Sequence, residues 1–231
     1  MSDLDPESAS PPIHVPRQAR SRETLSRLLD AAEAVLAEGG LDAATVPGIA
    51  QRAGLSVGAV YRRFADKDAL LRAVYFRMFE RMREQNETTM DPELFRDVPL
   101  ETVLPAIVRG IVQHYRQHRT LMQALMQYAD THADAEFRRR AAELNGAALS
   151  RLAAIVTSKR DQMRHPDPEG AVRFALLTVG LVLRGVLLSD QAPPGFLLGG
   201  DVSIEDELTR MVMGYLGVEG GSKSSQGLQP G

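Results

Sequence analysis

The chain has 231 residues, 44% of them hydrophobic, enough to bury a sizeable core as one larger or two smaller domains. It contains no cysteine, which excludes disulfides, thiolate metal sites, cysteine nucleophiles and thiol redox sensing. The net charge of −3 argues by itself against a nucleic-acid partner, yet residues 16–85 are net basic, whereas residues 86–231 and the first fifteen residues are net acidic.

Residues 1–18 read as a disordered arm, acidic and rich in Ser and Pro. They lack the basic start and apolar stretch of a secretory signal, so a cytoplasmic location is expected. A first helix is predicted over 21–40, with Leu25, Leu28, Leu29, Ala32, Val35 and Leu36 at helical spacing and Gly39-Gly40 as its stop. A short second helix follows over 45–54, with Thr45 as N-cap, Pro47 in the first turn and Gly54 at its end. Ser56 caps a third helix in which Val60 and Phe64 share one face. Asp66 caps a fourth, running to about Asn86, with Leu70, Leu71, Val74, Met78 and Met82 as its apolar stripe. The link from Ala53 to Leu55 has the length and the glycine of a helix-turn-helix.

Helical patterning continues over 99–118, 120–131, 133–163, 169–190 and 203–217, without strand signals. Breaks fall at Asp91-Pro92, at 165–168 and at 192–200, and the tail 219–231 is of low complexity and reads as disordered. The run 171–188 is nearly as long as the roughly 20 apolar residues of a membrane span. It contains Arg173 and Arg184, and an arginine well inside a span costs at least about 2.5 kcal/mol. A helix buried against protein, and no membrane partner, is therefore expected.

The stretch GLSVGAVYRRFADKDALL, residues 54–71, holds the most pointed chemistry. A short helix set at an angle to its predecessor can enter the DNA major groove, with hydrogen-bond donors and small residues outward. Val60 and Phe64 supply the buried side, leaving Ser56, Gly58, Ala59, Tyr61, Arg62 and Arg63 outward, while Val57 suits either packing or a thymine methyl. Gly58 and Ala59 would let the backbone approach the groove closely. Lys67 lies in the first turn of its helix, where a cation opposes the macrodipole; a phosphate there would reverse that sign. Thr45 offers a hydroxyl and exposed amides at another helix start. The bland alternative is ordinary solvated charge, with Tyr61 a half-buried spacer.

Thr45, Ile49-Ala50, Ala53-Gly54-Leu55-Ser56, Gly58, Tyr61, Phe64, Lys67 and Leu70-Leu71 together resemble the N-terminal signature of TetR-family transcriptional regulators. The match covers about residues 21–72. The resemblance implies an all-α protein: a helix-turn-helix DNA-binding domain over 19–66, then a larger helical effector-binding and dimerisation domain over 67–218. It implies a homodimer whose third helices enter a palindromic operator on double-stranded DNA, with Thr45, Tyr61 and Lys67 on phosphates and residues 56–59 and 63 near base edges or backbone. Ala59 replaces the usual threonine and Arg63 the usual aromatic or histidine, so no operator sequence transfers.

The resemblance also implies that the last two helices, 169–190 and 203–217, form a four-helix bundle with a partner. Hydrophobic residues on nearly every face of the first fit that role, and Gly180 and Gly185 would allow close approach; the alternative is a core helix buried within a monomer. The middle helices would enclose a pocket for a small-molecule effector. Its candidate lining is His114, Tyr115, His118, Met122, Met126, Tyr128, Phe137 and Phe174, residues for which plain core packing is an equal alternative. His114 and His118 stand one turn apart, a spacing that can bind metal, but no Glu, Cys or HExxH frame accompanies them, so no metal or other cofactor is expected.

No GxSxG, Walker loop or GxGxxG is present, and no catalytic carboxylate pair stands out, so an enzyme is not expected. The function expected is ligand-responsive, sequence-specific transcriptional regulation, most simply repression relieved by the effector. The alternatives are an all-helical enzyme or a dimeric interaction module, the latter predicting dimerisation without salt-dependent DNA affinity.

Overall fold

Thr45, Ser56, Asp66, Asp91, Asp134 and Asp167 each accept a backbone N–H two or three residues ahead, and each thereby fixes where a helix begins. The computed structural model describes residues 17–131, 134–188 and 203–219. Among them there are helices and turns but no strand. The expected arm (save Arg17 and Gln18), the break at 192–200 and the tail beyond Glu219 lie outside the described residues.

The helices are α1 (Arg17–Ala43), α2 (Val46–Ala53), α3 (Val57–Tyr61), α4 (Lys67–Thr89), α5 (Leu100–Gln117), α6 (Arg119–Thr131), α7 (Ala135–Thr157), α8 (Pro168–Leu183) and α9 (Ile204–Leu216). α1 begins four residues earlier than its apolar pattern announces, because Arg, Gln and Ala after Pro16 are good helix formers. It breaks at Gly40, whose φ of 71° only glycine adopts without strain, and one further turn ends at Ala43. α3 stops at Tyr61, so Phe64 reaches the core from the following turn rather than from the helix itself.

α7 ends at Thr157, six residues before the expected Met163. The cause is tertiary. Lys159 is buried, 5% exposed, and its ammonium donates to the Arg96 carbonyl at 2.9 Å. Three residues on, Gln162 Oε1 accepts from the Leu100 N–H at 2.8 Å, capping α5, whose N-cap Pro99 has no side-chain acceptor. α8 continues into a π-helical turn, Arg184–Leu188, so the long apolar segment changes its winding before it ends. The best 18 residues of this 21-residue stretch have a mean hydropathy of 2.0, apolar enough to cross a membrane by composition; here its inner side packs on α5, α7 and α9.

Two apolar clusters form the interior. The first gathers α1 to α4 and extends into α6 through Ala124 and Tyr128 and into α7 through Phe137 and Leu144. The second gathers α5, the far half of α7, α8 and α9. α7 therefore runs through both. Arg77 of α4 grips Asp30 at 2.8 Å and Glu33 at 3.4 Å on α1, Arg81 joins Glu33, and Arg72 pairs with Asp134 at the start of α7. These bridges bind α4 to the helices on both sides of it.

Candidate nucleic-acid interface

The turn between α2 and α3 is closed by backbone alone. Gly54, at φ 66° and ψ 36°, donates to the Gln51 carbonyl at 3.1 Å, and Leu55 donates to the Ala50 carbonyl at 2.9 Å, the paired bonds of a Schellman motif. Val46, Ile49, Ala50 and Ala53 bury one face of α2. Glu38 of α1 receives both terminal nitrogens of Arg52 at 2.6 Å, which fixes the outer end of α2 against α1.

Val60 anchors α3 at 1% exposure, and the opposite side is open: Val57 is 38% and Tyr61 51% exposed, with Ser56, Gly58 and Arg62 exposed beside them. A Cβ on Gly58 would meet nothing nearer than an Arg62 nitrogen at 4.0 Å, so this turn has room for a surface to approach. Ala59 is half-buried. Arg63 is exposed but not free: its Nη1 donates to Ser21 Oγ of α1 at 3.2 Å.

Two helix starts flank this face. Thr45 Oγ1 accepts from the Gly48 N–H at 3.2 Å; accepting inward leaves its hydroxyl proton to donate outward. Lys67 opens α4 between two carboxylates. Asp66 Oδ1 accepts from the Ala69 N–H at 2.7 Å, and Asp68 faces the Tyr128 phenol of α6 with its Oδ1 buried and unpaired. Burial, then that neighbouring carboxylate, hold the Tyr128 phenol far above its usual range, so it remains a donor. This stretch thus presents a five-residue helix with small and hydrogen-bonding groups outward, and the helices before and after it begin with a hydroxyl and an ammonium. This is the chemistry of phosphate clamping around an inserted helix. The approach of Asp68 to Tyr128 had no signature in the sequence.

The eight residues expected to line an effector pocket do not converge. Tyr128 and Phe137, each 1% exposed, stack with Tyr75, Phe76 and Phe79 inside the first cluster, at ring-centroid distances of 4.9 to 6.0 Å. Phe174 is 58% exposed on α8, 5.7 Å from the Tyr215 ring of α9. His114, Tyr115, Met122 and Met126 are half-buried where α5 meets α6, and His118 is exposed beside them. The His114 and His118 rings lie 4.8 Å apart; burial, then His118, lower the His114 pKa below its ordinary value. No cluster of three His, Cys, Asp or Glu occurs among the described residues. A polar cleft of about 350 Å³ lies elsewhere, lined by Pro99, Glu101, Gln162, Arg164 and Glu219 among others.

α8 and α9 carry a second exposed surface. Phe174, Leu177 and Leu181 follow one another at helical spacing and are 49 to 60% exposed; Met211 and Tyr215 lie exposed on α9. A Cβ on Gly180, Gly185 or Gly214 would meet nothing within 4 Å.

Comparison with known proteins follows the same division. Residues 28–74 match the family described as bacterial regulatory proteins, tetR family, and residues 99–216 match the tetracyclin repressor-like C-terminal domain. Over 61 residues the chain is 41% identical to the HTH-type transcriptional repressor KstR of Mycolicibacterium smegmatis, an alignment spanning 26% of this chain and 30% of that repressor. Among solved structures, a TetR-family regulator from Mesorhizobium loti superposes with a TM-score of 0.60 at 19% identity, covering 86% of this chain and 95% of the other. One from Haloarcula marismortui gives 0.59 at 20%, covering 85% and 97%. The regulator FadR of Bacillus subtilis, solved in complex with stearoyl-CoA, gives 0.54 at 19%, covering 84% and 98%.

Proposed function

The chain belongs to the TetR family of bacterial transcriptional regulators, DNA-binding proteins rather than enzymes, and from that premise we propose a dimeric repressor released from its operator by a small-molecule effector. The observation that supports the DNA reading best is the exposed outward side of α3, with Thr45 and Lys67 at the starts of the helices before and after it. In this reading Thr45, Tyr61 and Lys67 hold phosphates, Ser56, Val57, Gly58 and Ala59 approach base edges, and Arg62 lies beside them. Arg63 serves the interface indirectly, through Ser21.

Dimerisation through α8 and α9 is supported by their exposed apolar side chains and by glycines with open space above them. A soluble chain seldom leaves such a face uncovered. Two recognition helices must then match successive major grooves about 34 to 36 Å apart, or a multiple of that, which favours a palindromic operator and action in the cytoplasm. For the effector, the half-buried group His114, Tyr115, Met122 and Met126 is the best supported site. The π-helical turn packs on both α5 and α6, with Gln123 Nε2 donating to the Leu188 carbonyl at 3.0 Å. Its partner chemistry is an amphipathic small molecule, apolar with a few polar handles.

The test is fluorescence anisotropy with labelled duplex tiles from the DNA upstream of the coding sequence, titrated at several salt concentrations. Tight, steeply salt-dependent binding to one tile, poorly competed by unrelated DNA, is expected. Dimerisation with no salt-dependent affinity for any genomic fragment would instead identify an interaction module.

A further inference from the structure

Most arginines among the described residues are neutralised. Arg52, Arg72, Arg77, Arg81 and Arg83 all hold carboxylates, as do most of those beyond α4. A cluster at one end of the molecule departs from this pattern. Among the described residues, Arg20, Arg22, Arg27, Arg62 and Arg63 are exposed and make no ion pair. The other unpaired arginines, Arg116, Arg138, Arg160 and Arg184, are scattered over α5, α7 and the turns beyond.

The cluster is continuous with α3 because of one contact already described, Arg63 Nη1 to Ser21 Oγ at 3.2 Å. Ser21 lies on the α1 face that continues down through Leu25 to the buried Leu28, so the start of α1 is set against the end of α3. Arg20 and Arg22 flank Ser21 on either side of the helix. Glu23, the one acid between Arg17 and Leu29, lies two positions from Ser21 and so on the opposite face. With no acidic residue in the first turn of α1, these cations also face the unfavourable end of the helix dipole. Residues 17–27 precede the segment that the family description matches, 28–74, so nothing in that match accounts for them.

We propose that Arg20 and Arg22 extend the DNA interface onto the start of α1, each holding a backbone phosphate of the duplex whose groove α3 enters. The inference rests on the DNA-binding reading. The planar guanidinium forks suit phosphate oxygens, and the long exposed side chains reach outward without disturbing the core on the other face of α1. A phosphate contact carries no sequence information, so these two residues set affinity and register and leave base preference to α3.

The experiment uses the full chain and labelled duplexes, one carrying the selected operator and one of scrambled sequence and equal length. Wild type, Arg20→Gln/Arg22→Gln, Arg20→Lys/Arg22→Lys and Lys67→Gln are each titrated between low and physiological salt. For the glutamine pair, the slope of log K against log salt should flatten by about 0.9 for each phosphate that is no longer neutralised. Affinity should fall on both duplexes by the same factor, and the lysine pair should keep most of the slope. Thermal denaturation checks that these exposed substitutions leave folding unchanged. An unchanged slope for the glutamine pair beside a flattened one for Lys67→Gln would overturn the inference and spare the DNA-binding reading. A wild-type chain with no duplex affinity would overturn both.

Discussion

Lys67 shows how a single residue acquires a role from its neighbours. In sequence it stands between Asp66 and Asp68 and looks neutralised; in space Asp66 caps α4 and Asp68 faces Tyr128, and in the proposed reading the ammonium is left to an incoming anion. Lys67→Ala should therefore weaken binding nearly equally for all DNA sequences, whereas changes at Val57 or Ala59 should alter which sequence is preferred. Competition titrations against a panel of operator variants separate the two effects. His114 provides a test unrelated to DNA. Burial, then His118, depress its folded-state pKa below the ordinary 6.5. As pH falls through and below that value the unfolded chain binds the extra proton first, and stability is lost. The thermal midpoint should fall as pH drops from about 7.5 to 5.5, and His114→Gln should flatten part of that decline.

At the scale of helices, α2, the turn and the start of α4 were readable because their causes are local: a hydroxyl or carboxylate three residues from the N–H it caps, and a glycine at φ 66°. The end of α7 was not, because it depends on Lys159 finding a carbonyl on a distant turn and Gln162 capping another helix. Tyr128 and Phe137 show the same limit for the site. Their aromatic character marked them as interior, but periodicity cannot say which interior, and they pack against Tyr75, Phe76 and Phe79 of α4. The exposed side of α8 carries its own prediction. Leu181, 60% exposed, lies beside the open space above Gly180, so Leu181→Glu should leave the fold intact and shift the chain from dimer to monomer in sedimentation velocity. DNA affinity would then fall steeply, because two linked half-site contacts become one.

For the molecule as a whole, the decisive feature is that the first apolar cluster does not stop at α4. Tyr128 of α6 and Phe137 of α7 are seated against Tyr75, and polar bridges from Arg72, Arg77 and Arg81 tie α4 to α7 and α1. Movement of α6 on effector binding would thus reach α4 through the packing of the Tyr128 ring on Tyr75. To move a repressor from nearly all competent to nearly all incompetent takes about 5.5 kcal/mol of differential effector affinity. Phe137→Ala removes a fully buried ring, at a cost of about 3 to 5 kcal/mol. It should lower the thermal midpoint of the entire chain and weaken DNA binding, although Phe137 lies on none of the helices near DNA.

The same seating governs what can be exchanged between regulators. A reading head cut after α4 and grafted onto a foreign effector module would leave Tyr75, Phe76 and Phe79 facing side chains that never evolved to receive them. Chimeras of this protein will keep both halves functional only where the aromatic seat from α6 and the first turns of α7 travels with the head, so the practical unit of transplantation is defined by packing and not by position along the chain.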